Sequence, residues 1–215
     1  MKLVIANKNY SSWSMRPWVL LKHFGIPFEE VMVFLNQGDT RERILKYSPS
    51  GRVPALIDDG GNVIWDSLAI AETLAERFPQ HGLWPSDPVA RAFARSISAE
   101  MHSGFADVRQ TMPMNIKISR PDIGRRGEVR ESVARIDELW RQSLAKSGGP
   151  FLFGEFCIAD AMYTPIAMRF NSYQPGGLSA ESLAYIERIK ALPAVAEWIE
   201  GSKGEPAIEY YDAIA

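Results

Sequence analysis

Two short stretches in this 215-residue chain carry residue types suited to chemistry: Val53-Pro54 before Ala55-Leu56-Ile57, and Asp66-Ser67 before Leu68-Ala69-Ile70. Proline has no N–H to give a sheet ladder, so at a strand entry it leaves the neighbouring backbone free for another partner. X–Pro is also the bond type at which a cis peptide costs little, and a cis proline turns that backbone outward. Asp66 and Ser67 bring an acceptor, a donor and the free N–H groups of a helix start. Together they read as a clamp of backbone and helix terminus for a small, charged, peptide-like ligand. A third stretch, Tyr10-Ser11-Ser12-Trp13-Ser14, is a hydroxyl-rich turn, and reacting groups favour such loops on a rigid scaffold. The plain structural alternative is a strand entry and two helix caps, which Val-Pro, Asp-Ser and serine runs supply routinely.

The elements around these residues follow from periodicity. Lys2 to Asn7, with β-branched Val4 and Ile5, reads as a buried strand. Beyond the serines, Trp18, Leu21 and Phe24 recur at helical intervals; Pro17 fits a first helical turn and Gly25-Ile26-Pro27 stops the helix. Phe28 to Leu35 alternates as a second strand, and a short helix starts near Thr40. Ala55 to Asp58 and Asn62 to Trp65 are short strands around Asp59-Gly60-Gly61, a hairpin signal. Ser67 to Arg77 is helical. The order β-α-β-α-β-β-α is a thioredoxin-like layout closed by a hairpin.

Phe78 to Pro88, with Pro79, Gly82, Pro85 and Pro88, is a turn-rich connector, and residues 80–87 read as the linker. Strand signals then vanish, and 88–215 reads as all-helical. Helices are expected over Val89 to about Thr111, Glu128 to Lys146, Ile158 to Phe170, Leu183 to Leu192 and Ala194 to Lys203. The expected organisation is thus an α/β domain over 1–79 and an all-α domain over 88–215.

Composition narrows the function classes. Hydrophobic residues at 46% and charged residues at 23% are those of a globular chain that can bury a core. A net charge of −2 without a basic patch argues against nucleic acid. Neither a signal-peptide core nor a transmembrane stretch stands out, so a cytoplasmic protein without membrane contact is expected. One cysteine, Cys157, forms no internal disulfide, and the three scattered histidines His23, His81 and His102 match no metal spacing. Serines stand where a dithiol protein needs Cys-x-x-Cys, which argues against disulfide exchange by the protein itself.

Taken in order, these segments resemble the glutathione transferases over nearly the whole chain, most strongly through residue 78. The resemblance implies that Val53, before cis Pro54, pairs through its main chain with the cysteinyl part of glutathione. Asp66 and Ser67 hold the γ-glutamyl end, with Asp66 in place of the family's more usual Glu. Arg52 is a candidate for a glutathione carboxylate, and Arg41, Arg43 and Lys46 lie where the family often meets the glycyl carboxylate. Ser11-Ser12-Trp13-Ser14-Met15-Arg16 is similar to the Ser-Ser-Cys-x-x-Arg signature of the zeta class. A hydroxyl there donates to the glutathione thiolate, since a thiol with a reference pKa of about 8.5 is mostly un-ionised at neutral pH. Ser11 matches the usual catalytic serine, Ser12 is its rival and Ser14 comes third.

Trp13 replaces the zeta cysteine, which sets this chain apart from the zeta isomerases. Phe156-Cys157-Ile158-Ala159-Asp160 is similar to the family's Ser/Thr-x-x-Asp helix start, with Cys157 a small buried residue and Asp160 accepting from the cap N–H. Met101, Phe105, Met112 and Met114 form a stripe that serves as core or lines a pocket; Trp13 and Met112 are the candidates for an apolar co-substrate. The resemblance implies a homodimeric glutathione transferase acting on a small apolar electrophile, with glutathione as substrate and no cofactor. Two alternatives stand beside it: a glutathione-dependent isomerase of the zeta, maleylacetoacetate isomerase-like type, and a non-catalytic ligand-binding protein of the same fold.

Overall fold

A computed structural model describes residues 1–125 and 127–213. Strand β1 (Lys2–Ile5) is the pivot of the first half, with Leu3, Val4 and Ile5 wholly buried. It pairs in parallel with β2 (Glu29–Met32) and antiparallel with β3 (Ala55–Ile57), which pairs antiparallel with β4 (Val63–Ile64). The sheet is therefore mixed, in the order β2-β1-β3-β4. Gly61 takes a φ of +82° in the β3–β4 turn, and Asp58 Oδ1 accepts from the N–H groups of Gly60 and Asn62 to close it. β2 ends before the expected Leu35, because the Leu35 N–H donates to the Asn7 side chain, 2.8 Å away.

Helices α1 (Ser12–His23) and α3 (Ser67–Arg77) pack with the large apolar core on one side of the sheet. Helix α2 (Thr40–Leu45) closes a smaller cluster of Val4, Val33, Ile44 and Ala55. Pro17 lies inside α1 and not in its first turn, one turn deeper than its sequence context suggests.

The second half is helical: α4 (Pro88–Ser103), α5 (Ala106–Thr111), α6 (Glu128–Ser147), α7 (Ile158–Tyr173), α8 (Ala180–Ala191), α9 (Pro193–Ser202) and α10 (Glu209–Ala213). The single helix expected over Val89 to Thr111 is broken in two. Phe105 takes a φ of 56°, and a Cβ on Gly104 would stand 2.7 Å from the Glu100 carbonyl oxygen. Arg109 then reaches back and donates to the carbonyls of Met101, His102 and Gly104, satisfying the open end of α4. This break aims the Arg109 guanidinium toward the first half of the chain.

Nearly every side chain of α7 is buried, and the helix packs against α1, α4 and α8. Its start is held by Asp160, which accepts from the N–H groups of Cys157 and Leu152 and from the Tyr185 hydroxyl. Cys157 is buried, and burial pushes its thiol up, as expected of a structural residue. A single apolar cluster that includes Trp18, Trp140 and Trp198 runs through both halves, each such burial contributing roughly 1.5–3 kcal/mol. Among the described residues, no helix is long and apolar enough to cross a membrane.

Candidate active site

The residues singled out by type and spacing converge on two adjoining clefts. One, of about 430 Å³, is lined by Trp13, Ser50, Arg52, Val53, Pro54, Trp65, Asp66 and Ser67. The other, of about 650 Å³, shares Trp13, Arg52 and Val53 and continues past Ser11, Ser12, Tyr10, Leu35, Arg41 and Tyr211. The Val53–Pro54 peptide is cis. Val53 precedes β3, and among the described residues nothing in the chain pairs with its backbone N–H or C=O. That leaves one unsatisfied donor and acceptor at the rim shared by the two clefts.

Asp66 is the N-cap of α3. Its Oδ1 accepts from the N–H groups of Leu68 and Ala69, so those helix-start donors are taken by the protein and not open to a ligand. Its Oδ2 lies 2.8 Å from His102 Nε2, on α4. Ser67 is almost wholly buried and its Oγ accepts from Arg16 Nη1 at 3.3 Å. The clamp is therefore oriented from behind by groups that its own sequence neighbourhood does not contain.

The serine turn divides into distinct roles. Ser11 is the N-cap residue of α1 and donates its hydroxyl to Ser14 Oγ at 2.8 Å. Ser14 is fully buried, accepts from the Ala6 N–H at 3.2 Å, and does not line the cleft. Ser12 lines the cleft and accepts from Arg169 Nη2 at 3.2 Å. The backbone N–H groups of Ser11 and Ser12 go to the carbonyls of Asn7 and Tyr10.

Trp13 is the centrepiece, since it lines both clefts and has Arg16 over one ring at 4.3 Å, Arg109 at 5.1 Å and His102 edge-on at 5.3 Å. Met112, the other candidate lining residue, is fully buried instead. Its carbonyl accepts from Arg169 Nε, so it stands behind the cleft wall. Arg41 and Arg52 both line the larger cleft, whereas Arg43 and Lys46 do not.

Further contributions come from Arg16, within the serine motif, and from two distant parts of the chain, Arg169 and the C-terminal segment. Arg16 and Arg169 are buried; burial first, then repulsion from neighbouring guanidinium groups, pushes each down to about 9, so both remain cationic at neutral pH. The C-terminal segment crosses the serine turn: Glu205 accepts from the N–H groups of Lys8 and Asn9, and Tyr211 stacks on Tyr10 at 5.2 Å. Tyr10 donates to Asp212 and accepts from the Ile208 N–H. None of these pairings has a local sequence signal, because the partners lie 157 to 202 residues apart. A separate cavity of about 630 Å³, which includes Phe170, Leu178, Leu183 and Ile186, contains none of the clamp or turn residues.

Comparison with known proteins agrees with this arrangement. Residues 10–77 match the glutathione S-transferase N-terminal domain family and residues 90–201 match its C-terminal domain family. A probable maleylacetoacetate isomerase of Caenorhabditis elegans is 30% identical over 168 residues, covering 74% of this chain and 75% of that protein. A maleylacetoacetate isomerase of Pseudomonas aeruginosa is 39% identical over 102 residues, 46% of this chain and 47% of its own. A Burkholderia glutathione transferase homologue, solved with bound glutathione, superimposes with a TM-score of 0.70 at 26% identity, covering 95% of this chain and 98% of that one. With both domain families matched and the thioredoxin-like and helical halves in place, the chain belongs to the glutathione S-transferase family of glutathione-dependent enzymes.

Proposed function

We propose that this protein is a glutathione transferase that forms the glutathione thiolate at the serine turn and presents it to a small apolar electrophile. The observation that supports this most is the unpaired backbone of Val53, on the rim between the Asp66–Ser67 clamp and the Ser11–Ser12 turn. A γ-glutamyl peptide laid along it reaches Asp66 with its ammonium, Ser67 with its carboxylate and the turn with its thiol. Arg41 and Arg52 are positioned for the glycyl carboxylate. Thiolate stabilisation and positioning then provide the catalysis. The electrophile is assigned to the part of the larger cleft walled by Trp13, Leu35 and Tyr211.

A second reading, a glutathione-dependent isomerase of small dicarboxylic ketones, is favoured by the guanidinium groups of Arg16 and Arg109 against Trp13 and by the names of two similar proteins. Calorimetry with glutathione, followed by turnover assays on a panel of electrophiles and on cis-configured dicarboxylic enones, separates the readings. Conjugation of the panel supports the transferase, isomerisation without conjugation supports the second reading, and binding with neither reaction supports a carrier. A protein that does not bind glutathione would falsify all three. A cytoplasmic location and a homodimeric state belong to the same proposal.

A further inference from the structure

We propose that Ser12, and not the family-matched Ser11, donates to the glutathione thiolate, and that Arg169 of α7 is the positioning residue that aims the Ser12 hydroxyl into the cleft. This rests on the reading of the cleft as a glutathione site. Ser11 has its proton committed to Ser14 Oγ at 2.8 Å, and Ser14 is anchored in turn by the Ala6 N–H. Ser12 is in the opposite situation. Arg169 Nη2 donates to its oxygen at 3.2 Å, which occupies a lone pair and turns the hydroxyl proton away from the guanidinium. Because Ser12 lines the cleft, the proton has the cleft to point into. A cation on the acceptor side also polarises the O–H bond and strengthens its donation.

The geometry of Arg169 fits this task. Its Nε donates to the Met112 carbonyl at 2.8 Å, which fixes the plane of the guanidinium. Among the described residues, no carboxylate pairs with it. The groups facing this cluster are Arg16 on α1, Asp66 at the start of α3, His102 on α4, Asp107 and Arg109 on α5, and Tyr163 and Tyr173 on α7. Asp66 favours the charge of Arg16, and Asp107 that of Arg109. Arg169 has Arg109 against it, stands against Arg16 in turn, and has Tyr173 in its favour. Arg16 Nε, moreover, is buried without a partner. A buried cation short of a counter-ion is costly unless its N–H groups are paired, which holds Ser12 Oγ firmly against Arg169 Nη2. In the step itself the S–H proton leaves to water, Ser12 keeps its own proton, and no bond to the enzyme forms.

The test is the pH titration of glutathione bound to the protein, followed by thiolate ultraviolet absorbance. The variants are Ser11→Ala, Ser12→Ala, Arg169→Met, Arg169→Lys and the Ser12→Ala/Arg169→Met double variant. Ser12→Ala and Arg169→Met are each expected to raise the pKa of the bound thiol, cutting the thiolate fraction at neutral pH about tenfold. Arg169→Lys should recover part of the loss. Arg169→Met should add little in the Ser12→Ala background, because a residue acting through Ser12 loses its effect when the hydroxyl is gone.

A shift in Ser11→Ala with none in Ser12→Ala overturns the proposal, as does an Arg169→Met shift of equal size with or without Ser12. The serine comparison stands even if Arg169→Met does not fold. If glutathione binds but no serine variant shifts, activation by a hydroxyl is wrong while the glutathione site stands. If glutathione does not bind the wild-type protein, the underlying reading falls as well.

Discussion

His102 Nε2, on α4, lies 2.8 Å from Oδ2 of Asp66, the residue that begins α3. The other Asp66 oxygen is occupied by the N–H groups of Leu68 and Ala69, so both oxygens are fixed in direction before a ligand arrives. The carboxylate is half exposed while His102 is mostly covered, with Trp13 edge-on to its ring. Half of the proposed clamp is thus set by the helical part of the chain, and both parts contribute to one cleft wall.

Asp66→Ala is expected to weaken glutathione binding strongly, since a hydrogen bond to a charged group is worth roughly 1.5–3 kcal/mol, a loss of roughly 10- to 150-fold in affinity. Asp66→Asn keeps an acceptor for the α3 cap and should lose affinity while sparing stability. His102→Ala removes orientation but no ligand charge, and should cost only about threefold. Val53→Ala should change little, because its part is played by backbone. Calorimetry on the four variants checks the order; unchanged affinity in Asp66→Ala removes that residue from the site.

What the sequence made legible here was local. Val53-Pro54 and Asp66-Ser67 announce a strand entry and a helix cap within two residues each, and the structure places both on one cleft. The serine turn was equally visible, but the division of labour within it was not. Ser11 and Ser12 differ only in which hydroxyl meets Ser14 and which meets Arg169, and that is decided by α7 packing on α1. Arg16 stood in the motif without a visible task, and Arg109 and Arg169 stood in unremarkable helical stretches. Met112 illustrates the converse: a methionine at helical spacing reads equally as lining or as core, and it proved to be core. The break at Gly104–Phe105 was hidden because Phe105 takes a left-handed conformation that its residue type does not advertise.

Glu205 is expected to hold the serine turn in place. Its carboxylate takes the N–H groups of Lys8 at 2.6 Å and Asn9 at 2.9 Å, just ahead of Tyr10. Glu205→Ala leaves two part-buried donors unpaired, at about 1–3 kcal/mol. It should lower the urea midpoint and cut kcat with a smaller effect on KM for glutathione, because the turn carries the thiol-activating hydroxyl while the clamp half of the site is untouched. Glu205→Gln should restore most of the stability. An unchanged kcat with KM effects confined to the electrophile would assign the C-terminal segment to co-substrate binding instead.

The homodimer is checked most simply by sedimentation equilibrium. Trp65 stands 47% exposed beside the clamp, a large apolar side chain that a partner surface could cover. A mass near 48 kDa, twice the 24.1 kDa of one chain, is expected at micromolar concentration. A monomeric mass refutes it. A dimer whose Trp65 fluorescence contribution is unchanged on dilution to monomer places the interface elsewhere.

Asp160 gives the fold a pH dependence of unusual sign. It accepts three hydrogen bonds, yet its complete burial outweighs them and pushes the carboxyl up from 3.8 to about 6. A folded-state value above the unfolded one means that the native protein holds this proton more tightly. The contribution is therefore fully present below about pH 4 and is lost as the pH rises through about 6, amounting to about 3 kcal/mol. Tyr185, the nearest partner, is pushed upward by the same burial and stays neutral throughout this window. Wild type and Asp160→Asn should be unfolded in urea at pH 4 and at pH 7.5, and the stability of the variant subtracted from that of the wild type at each. The subtraction cancels the carboxylates common to both. The difference is expected to fall on going to pH 7.5, with glutathione affinity unaltered. A difference that grows with pH would mean that the N–H groups of Cys157 and Leu152 and the Tyr185 hydroxyl outweigh desolvation, and that the carboxyl is held low.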